Sequence, residues 1–239
     1  MSKPIGMHAD GSNCYTRGCS LDEAPTNSSM HRVSLLSHPE KYLAAEEGHT
    51  SPAMLDQLAK EDDTDIRMRV ASNPRTPSET LARFVADDIE MYDVLEGVAL
   101  NPSTSPATLT SLFNKHVGVN AQAYEQDIRE ALIRNPKLPS EVLNELARCS
   151  DPSLRYEVIT HENTTSAILV FLSSDDDSTI RESVAMHTSD SNTLVELSRD
   201  SDPDVRSAVF ENPNTPAETL TELELLMTFP IDYQNRIVG

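Results

Sequence analysis

Tryptophan is absent from this chain, glycine is rare (7 of 239 residues) and cysteine rarer still (3). Scarce glycine removes the residue that tight hairpin turns demand, which favours helices over β-hairpins. Three cysteines cannot build a disulfide framework. Positive charge is short as well: 19 Lys and Arg face 39 Asp and Glu, a formal net charge of −20. So acidic a chain repels phosphate backbones, which argues against binding to nucleic acid or anionic membranes. No apolar run approaches the ~20 residues of a membrane span. The N-terminal stretch MSKPIGMHADGSN lacks the apolar core of a signal peptide. Nor is there a glycine-rich nucleotide loop, a zinc-protease helix or a serine-hydrolase elbow. The expectation is a soluble, cytoplasmic, non-enzymatic chain with no cofactor.

What the chain does have is proline, 15 residues of it, much of it in a recurring setting. Comparable turn positions fall at Gly48, Asn73, Asn101, Asn135, His161, His187 and Asn212. Such spacing of one supersecondary unit marks a solenoid. Seven and three positions before six of these turns stand apolar pairs: Ile66/Val70, Val94/Val98, Ile128/Leu132, Leu154/Val158, Ile180/Val184 and Val205/Val209. That i, i+4 spacing defines one helical face. Asp63, Asp151, Asp177 and Asp202 precede these helices as N-caps. Pro152 and Pro203 follow at the first helical position, where a missing N–H costs nothing. Asn-Pro pairs at 73–74, 101–102, 135–136 and 212–213 end the first helix. Thr76-Pro-Ser-Glu79 and Thr215-Pro-Ala-Glu218 fit a capping box for a second one. A second stripe follows: Leu55/Leu58, Leu81/Phe84, Leu109/Leu112, Leu143/Leu146, Leu169/Leu172, Leu194/Leu197 and Leu220/Leu223. Helices of two or three turns are marginal alone, so each must bury its stripe against the next copy.

The expected fold is therefore all-α: a solenoid of about seven short two-helix repeats over residues 36–228, with an insertion near 113–126. Residues 1–35 read as a polar, extended arm, and 229–239 as an apolar tail.

The consensus V-R-x-A-V-x-x-N-P-x-T-P-x-E-x-L-x-x-L, carried best by residues 66–84 and 205–223, resembles the variant leucine-rich repeat, a HEAT-like bacterial family. The resemblance implies a right-handed superhelix, each repeat pairing an α-helix with a 3₁₀-helix or a second α-helix, and a binding role more than a chemical one. The founding type also implies an iron–sulfur cluster held by N-terminal cysteines. Here the N-terminal region offers only Cys14 and Cys19, half of the four thiolates usually required, so the cluster is not carried over.

Candidate sites are few. Arg67, Arg129, Arg155, Arg181 and Arg206 recur before the turns and would align along one edge. They read either as an anion or acidic-peptide groove or as ion pairs between repeats, with Asp65, Asp127 and Asp204 among the partners. His8, Cys14, Cys19 and His31 make a possible two-Cys, two-His zinc set, though the spacing is not that of a finger; a local disulfide and ordinary free thiols are the other readings. Cys149 reads as a small packed residue. His161 and His187 replace Asn in its turn and are expected to hydrogen-bond as Asn does. Glu61-Asp62-Asp63 and Asp175-Asp176-Asp177 lack the glycine and final Glu of a calcium loop and fit helix N-termini. Phe229, Ile231 and Tyr233 in the tail, with the arm and the insertion, are expected to meet a protein partner.

The leading expectation is a protein-interaction scaffold or adaptor, with a structural component of a larger assembly as one form of it. Two alternatives are an acidic DNA mimic that inhibits a DNA-binding protein, and a metal- or redox-linked module using the Cys14–Cys19 arm. A helical-repeat enzyme on nucleic acid would need a basic concave face and aromatics that this chain does not supply.

Overall fold

The computed structural model describes residues 33–87, 92–117 and 123–228; at 123–126 and 227–228 only the backbone is described. The N-terminal arm, the distal part of the insertion and the C-terminal tail lie outside that range. Among the described residues the chain is all helical, with no strand. It divides into two compact units after Leu138.

The first unit contains α1 (His38–Glu46), α2 (Pro52–Leu58), α3 (Thr64–Ser72), α4 (Ser78–Ala86), α5 (Tyr92–Leu100), α6 (Pro106–Leu112) and α7 (Ala123–Ile133). A π turn, Phe113–Val117, continues α6. The second contains α8 (Ser140–Leu146), α9 (Pro152–Thr160), α10 (Ser166–Leu172), α11 (Ser178–His187), α12 (Ser191–Leu197), α13 (Pro203–Glu211) and α14 (Ala217–Thr228). In the first unit α1, α3, α5 and α7 pack in succession, each on the next; in the second, α9, α11 and α13 do the same.

Local chemistry sets where the helices begin. The Asp63 carboxylate accepts from the Ile66 N–H at 3.1 Å, and Asp151, Asp177 and Asp202 each accept from the N–H two residues on at 2.9 Å. These satisfy donors that a helix start leaves free. Pro152 and Pro203 occupy the first helical position as expected. The second helices α2, α6, α10 and α12 start from Ser51, Ser105, Thr165 and Asp190, whose side chains accept from an N–H three residues on. They are α-helices of two turns, not 3₁₀-helices.

The expected capping boxes are not formed. Pro77 takes the N-cap position of α4 and makes no side-chain cap bond. The Thr76 hydroxyl turns back and donates to the Val70 carbonyl at 2.5 Å; Thr215 donates likewise to Val209 at 2.6 Å. Thr50 and Thr104 do the same to Ala44 and Val98, both at 2.6 Å. A hydroxyl reaching back adds a second bond to a last-turn carbonyl of the first helix, which already accepts from the turn N–H at Val70, Val98 and Val209.

Both apolar stripes are inside. All twelve of the first-helix residues paired above are buried, as are most of the second-helix leucines. In α10 the register shifts: Ile168 and Leu172 are buried and Leu169 is half-buried. Leu220 in α14 is also half-buried, and Leu223 takes the interior place there. The beginning of the insertion packs inward: Phe113 and Val117 are buried, and Lys115 Nζ donates to Val85 and Ala86 carbonyls at the end of α4 at 3.1 and 2.7 Å.

α3 and α5 approach closely at Gly97, where a Cβ would stand 2.9 Å from Ser72 Oγ and 3.1 Å from Ala71 Cβ. A serine hydroxyl can rotate away, but the Ala71 methyl is fixed to its helix. Gly97→Val is therefore expected to force the helices apart and cost about 2 kcal/mol, in the range of overpacked cores. Urea unfolding followed by circular dichroism measures this; an unchanged midpoint would show that the contact has slack.

Candidate functional site

The asparagine turns form the most regular polar feature of the molecule. Asn73 Nδ2 donates to the carbonyls of Ala45 and Glu47 at 2.9 and 3.1 Å. Asn101 Nδ2 donates to Ala71 and Asn73 at 2.6 and 2.8 Å, and Asn135 Nδ2 to Ala99 and Asn101 at 2.6 and 3.1 Å. In the second unit Asn212 Nδ2 donates to Ala185 and Thr188 at 2.6 and 2.9 Å. Each Asn thus closes the carbonyl end of the preceding first helix. Its Oδ1 meanwhile accepts from the N–H two residues on: Arg75, Ser103, Lys137 and Asn214 respectively. That second bond is an Asx turn, which makes the exit from the helix.

The same test corrects two turn assignments. His161 Nδ1 accepts from the Asn163 N–H at 3.1 Å, so histidine does stand in for Asn there. His187 does not. It ends α11, with Nδ1 against its own helix at Ser183 O (2.8 Å). Thr188 is the turn residue, its hydroxyl accepting from the Asp190 N–H at 3.2 Å. α11 is one residue longer than α9, which moves the turn. At the N-terminal end Glu47, not Gly48, is the C-cap of α1 and supplies the carbonyl that Asn73 binds.

The arginines of the second unit form a ladder with aspartates one repeat ahead. Arg155 grips Asp175 with two bonds, Nε to Oδ2 at 2.7 Å and Nη2 to Oδ1 at 2.8 Å, and donates a third to Cys149 O at 3.0 Å. Arg181 grips Asp200 the same way at 2.7 and 2.9 Å and donates to Asp175 O at 2.8 Å. Arg206 donates to Asp200 O and Ser201 O at 2.7 and 3.0 Å. In the second unit the partners are thus Asp175 and Asp200, not Asp204. The hydrogen bond from Arg181 holds the Asp200 carboxyl below its ordinary range, and the Asp175 bond raises Arg155. With both forks occupied, Arg155 and Arg181 have little left for an external anion. Arg129 is buried, so it is not displayed on an edge.

Arg67 has different surroundings. It is half-buried and lines a cleft of about 180 Å³ with Lys60 and Arg83. The sequence hid this cluster, because Lys60 and Arg83 sit outside the repeating arginine position.

The acidic clusters mostly hold the fold. Glu61 pairs with Lys41 Nζ and Asp63 with His38 Nε2, both at 2.7 Å, while Asp175 and Asp177 serve the ladder and the α11 cap. Cys149 is buried, its Sγ 3.4 Å from Asp151 O. Among the described residues no three His, Cys, Asp or Glu side chains converge as a metal site would require. His8, Cys14, Cys19, His31, Phe229, Ile231 and Tyr233 lie outside the described residues. No helix among those residues is long and apolar enough to cross a membrane.

No family model, curated protein or solved structure matches this chain.

Proposed function

We propose that this chain is a non-enzymatic protein-interaction scaffold built on an α-solenoid of about seven two-helix repeats. The successive packing of first helices and the Asn-to-carbonyl bonds support that arrangement, since at Asn73, Asn101, Asn135 and Asn212 a side chain of one repeat closes the first helix of the repeat before it. The right-handed, variant leucine-rich-repeat form of it is part of the same proposal.

The observation that carries the binding role is exposed apolar surface in the second unit. Tyr156 is 48% exposed, Phe171 46% and Met186 53%, and Val170 is also exposed. Arg148 stacks on the Phe171 ring, 4.5 Å from its centroid. Aromatic, methionine and arginine side chains are the ones enriched at protein interfaces. The N-terminal arm and C-terminal tail are proposed as further contacts with the same partner. Affinity capture from the native host tests this with four baits: the full chain, the chain lacking residues 1–30, and the Tyr156→Asp and Phe171→Asp variants. A stoichiometric partner should be retained by the full chain and lost by at least one surface variant. Retention by every bait, or capture of no protein in proportion to the chain, would refute the role.

A further inference from the structure

In the second unit the first helices α9, α11 and α13 lie side by side, with Leu154, Ile180 and Val205 at equivalent buried positions. Two residues on come Tyr156, Glu182 and Ser207, and four beyond those come Thr160, Met186 and Glu211. Residues four apart share a helical face, so these six make one face across three helices. Tyr156, Thr160, Met186 and Glu211 are exposed, and Glu182 and Ser207 half-buried. The face thus carries two large apolar side chains, Tyr156 and Met186, beside two carboxylates. Packed helices lie ~8–10 Å apart and rise ~1.5 Å per residue, which puts Tyr156 and Met186 roughly 11 Å apart, about two turns of a helix.

The charge around this face has one sign. Residues 139–228 hold 18 Asp and Glu against 5 Arg, with no Lys. Every one of those arginines is turned onto its own chain. Arg155 and Arg181 are rungs of the ladder, and Arg206 donates to the Asp200 and Ser201 carbonyls. Arg199 lies 3.9 Å from Glu222, and Arg148 stacks on Phe171. Among the described residues no cation pairs with Glu182 or Glu211. A second copy of this chain is a poor occupant, because its own net charge of −20 has the same sign.

We propose that this face docks a basic amphipathic helix of a partner protein, its apolar side chains against Tyr156 and Met186 and its Lys or Arg against Glu182 and Glu211. The inference rests on the interaction role proposed above and names the chemistry of the partner. Tyr and Met suit such a contact: they supply area, and Met adapts its shape to what it meets. Two turns of the incoming helix, positions i and i+7, span the distance between them. The chain's net charge alone does not hold the helix, because beyond ~8 Å it is largely screened at physiological salt. Contacts on the face decide the affinity, and the carboxylates decide the sign of the partner.

The test titrates the full-length chain, by fluorescence anisotropy, into a labelled Leu/Lys peptide of about 18 residues patterned as an amphipathic helix. Beside it run a Leu/Glu peptide of the same pattern and a scrambled Leu/Lys peptide with no apolar face. The patterned Leu/Lys peptide should bind and the Leu/Glu peptide should not. Tyr156→Ala should weaken binding about tenfold, which corresponds to about 1.4 kcal/mol. Glu182→Gln with Glu211→Gln should weaken it about fivefold and flatten its salt dependence. Glu141→Gln with Glu196→Gln removes the same charge from exposed positions on the second helices α8 and α12 and should stay within about twofold of the parent. Scrambled peptide bound as tightly as the patterned one would mean that net charge alone attracts it, the behaviour of a DNA mimic, and would overturn the docking face. So would variants at Tyr156, Glu182 and Glu211 that bind as the parent does, or a loss at Glu141 and Glu196 as large as that at Glu182 and Glu211. The peptide result does not depend on capture from the host. A captured partner that resists Tyr156→Asp but is lost with Phe171→Asp would end this assignment and leave the interaction role standing.

Discussion

Asn101→Leu is expected to destabilise the first unit by about 4 kcal/mol. The side chain is almost completely buried, and it makes three bonds at once. Nδ2 donates to Ala71 O at 2.6 Å and to Asn73 O at 2.8 Å, while Oδ1 accepts from Ser103 N at 2.8 Å. Leucine has a similar volume, so little cavity forms; what changes is that two carbonyls and one N–H lose their partner. A buried polar group left unsatisfied costs about 1–3 kcal/mol. The sum is a large part of the ~5–15 kcal/mol that hold a domain together. Asn101 also occupies a middle position: Asn135 Nδ2 donates to its carbonyl at 3.1 Å, so a shift here reaches the next turn. Urea midpoints by far-UV circular dichroism measure the loss, with Asn114→Ala, an exposed position, expected within about 0.5 kcal/mol of the parent. A second substitution separates chemistry from shape. Asn101→Asp keeps the acceptor but sets a carboxylate against two carbonyls, which raises its pKa in the folded state. Its cost is then greatest at neutral pH and shrinks as pH falls through that raised value, because a protonated carboxyl can donate one bond. A cost below about 1 kcal/mol for Asn101→Leu, or one for Asn101→Asp that is flat with pH, would mean that these bonds are not what holds the turn.

The roles of such residues were legible to different depths, for physical reasons. The paired Ile, Val and Leu positions were readable because burial acts on a helical face, and the face shows in the spacing alone. Asp63, Asp151, Asp177 and Asp202 were readable because a cap acts on its own helix, two or three residues away. The Asn turns were readable as turns, since Pro follows each of them. Their second function was not, because the carbonyls they bind lie 24 to 36 residues upstream. The arginines failed for the same reason in the other direction: Arg155 and Arg181 find Asp175 and Asp200 some 20 and 19 residues downstream, past nearer acidic residues of equal appearance. At His187 the matching letter misled. A histidine recurred at nearly the right interval, but α11 has one more residue, and the hydroxyl of Thr188 makes the turn bond instead. Thr76 and Thr215 show a third limit. A hydroxyl ahead of Pro-x-Glu can serve either helix that meets at the turn, and only the packed geometry directs it to the first. The Arg67 cleft was hidden for yet another reason: it joins three elements by side chains that share no repeat position.

Arg181→Met is expected to cost the second unit about 3 kcal/mol. The pair with Asp200 is well shielded, with side chains 14% and 9% exposed, and it is bidentate. Removing one partner of a buried pair leaves the other charge without compensation, typically at about 3–5 kcal/mol; the residual exposure places this pair at the lower end. Arg181 also covers Asp175 O at 2.8 Å, while the Asp175 carboxylate is held by Arg155, so the loss reaches two rungs of the ladder. The effect carries a pH signature. The Asp200 carboxyl is held below its ordinary value, chiefly by the Arg181 hydrogen bond, with the Asp202 N–H and Arg206 adding to it. The unfolded chain, near the ordinary ~3.9 of an aspartate, therefore takes up the proton first as pH falls. The pair's contribution is complete above that value and is lost as pH drops through the folded one. The gap in stability between parent and Arg181→Met should accordingly be widest at pH 7 and narrow toward pH 3. Asp200→Asn serves as the second arm of a double-mutant cycle. Because each single change removes the same bidentate contact, the double variant should be little worse than Arg181→Met alone, a coupling of about 2 kcal/mol. Additive losses, or a gap that stays constant from pH 7 to pH 3, would reduce the ladder to a surface ion pair of the kind worth about 0–1 kcal/mol, and the second unit would then owe its order to the apolar stripes and the Asn212 turn alone.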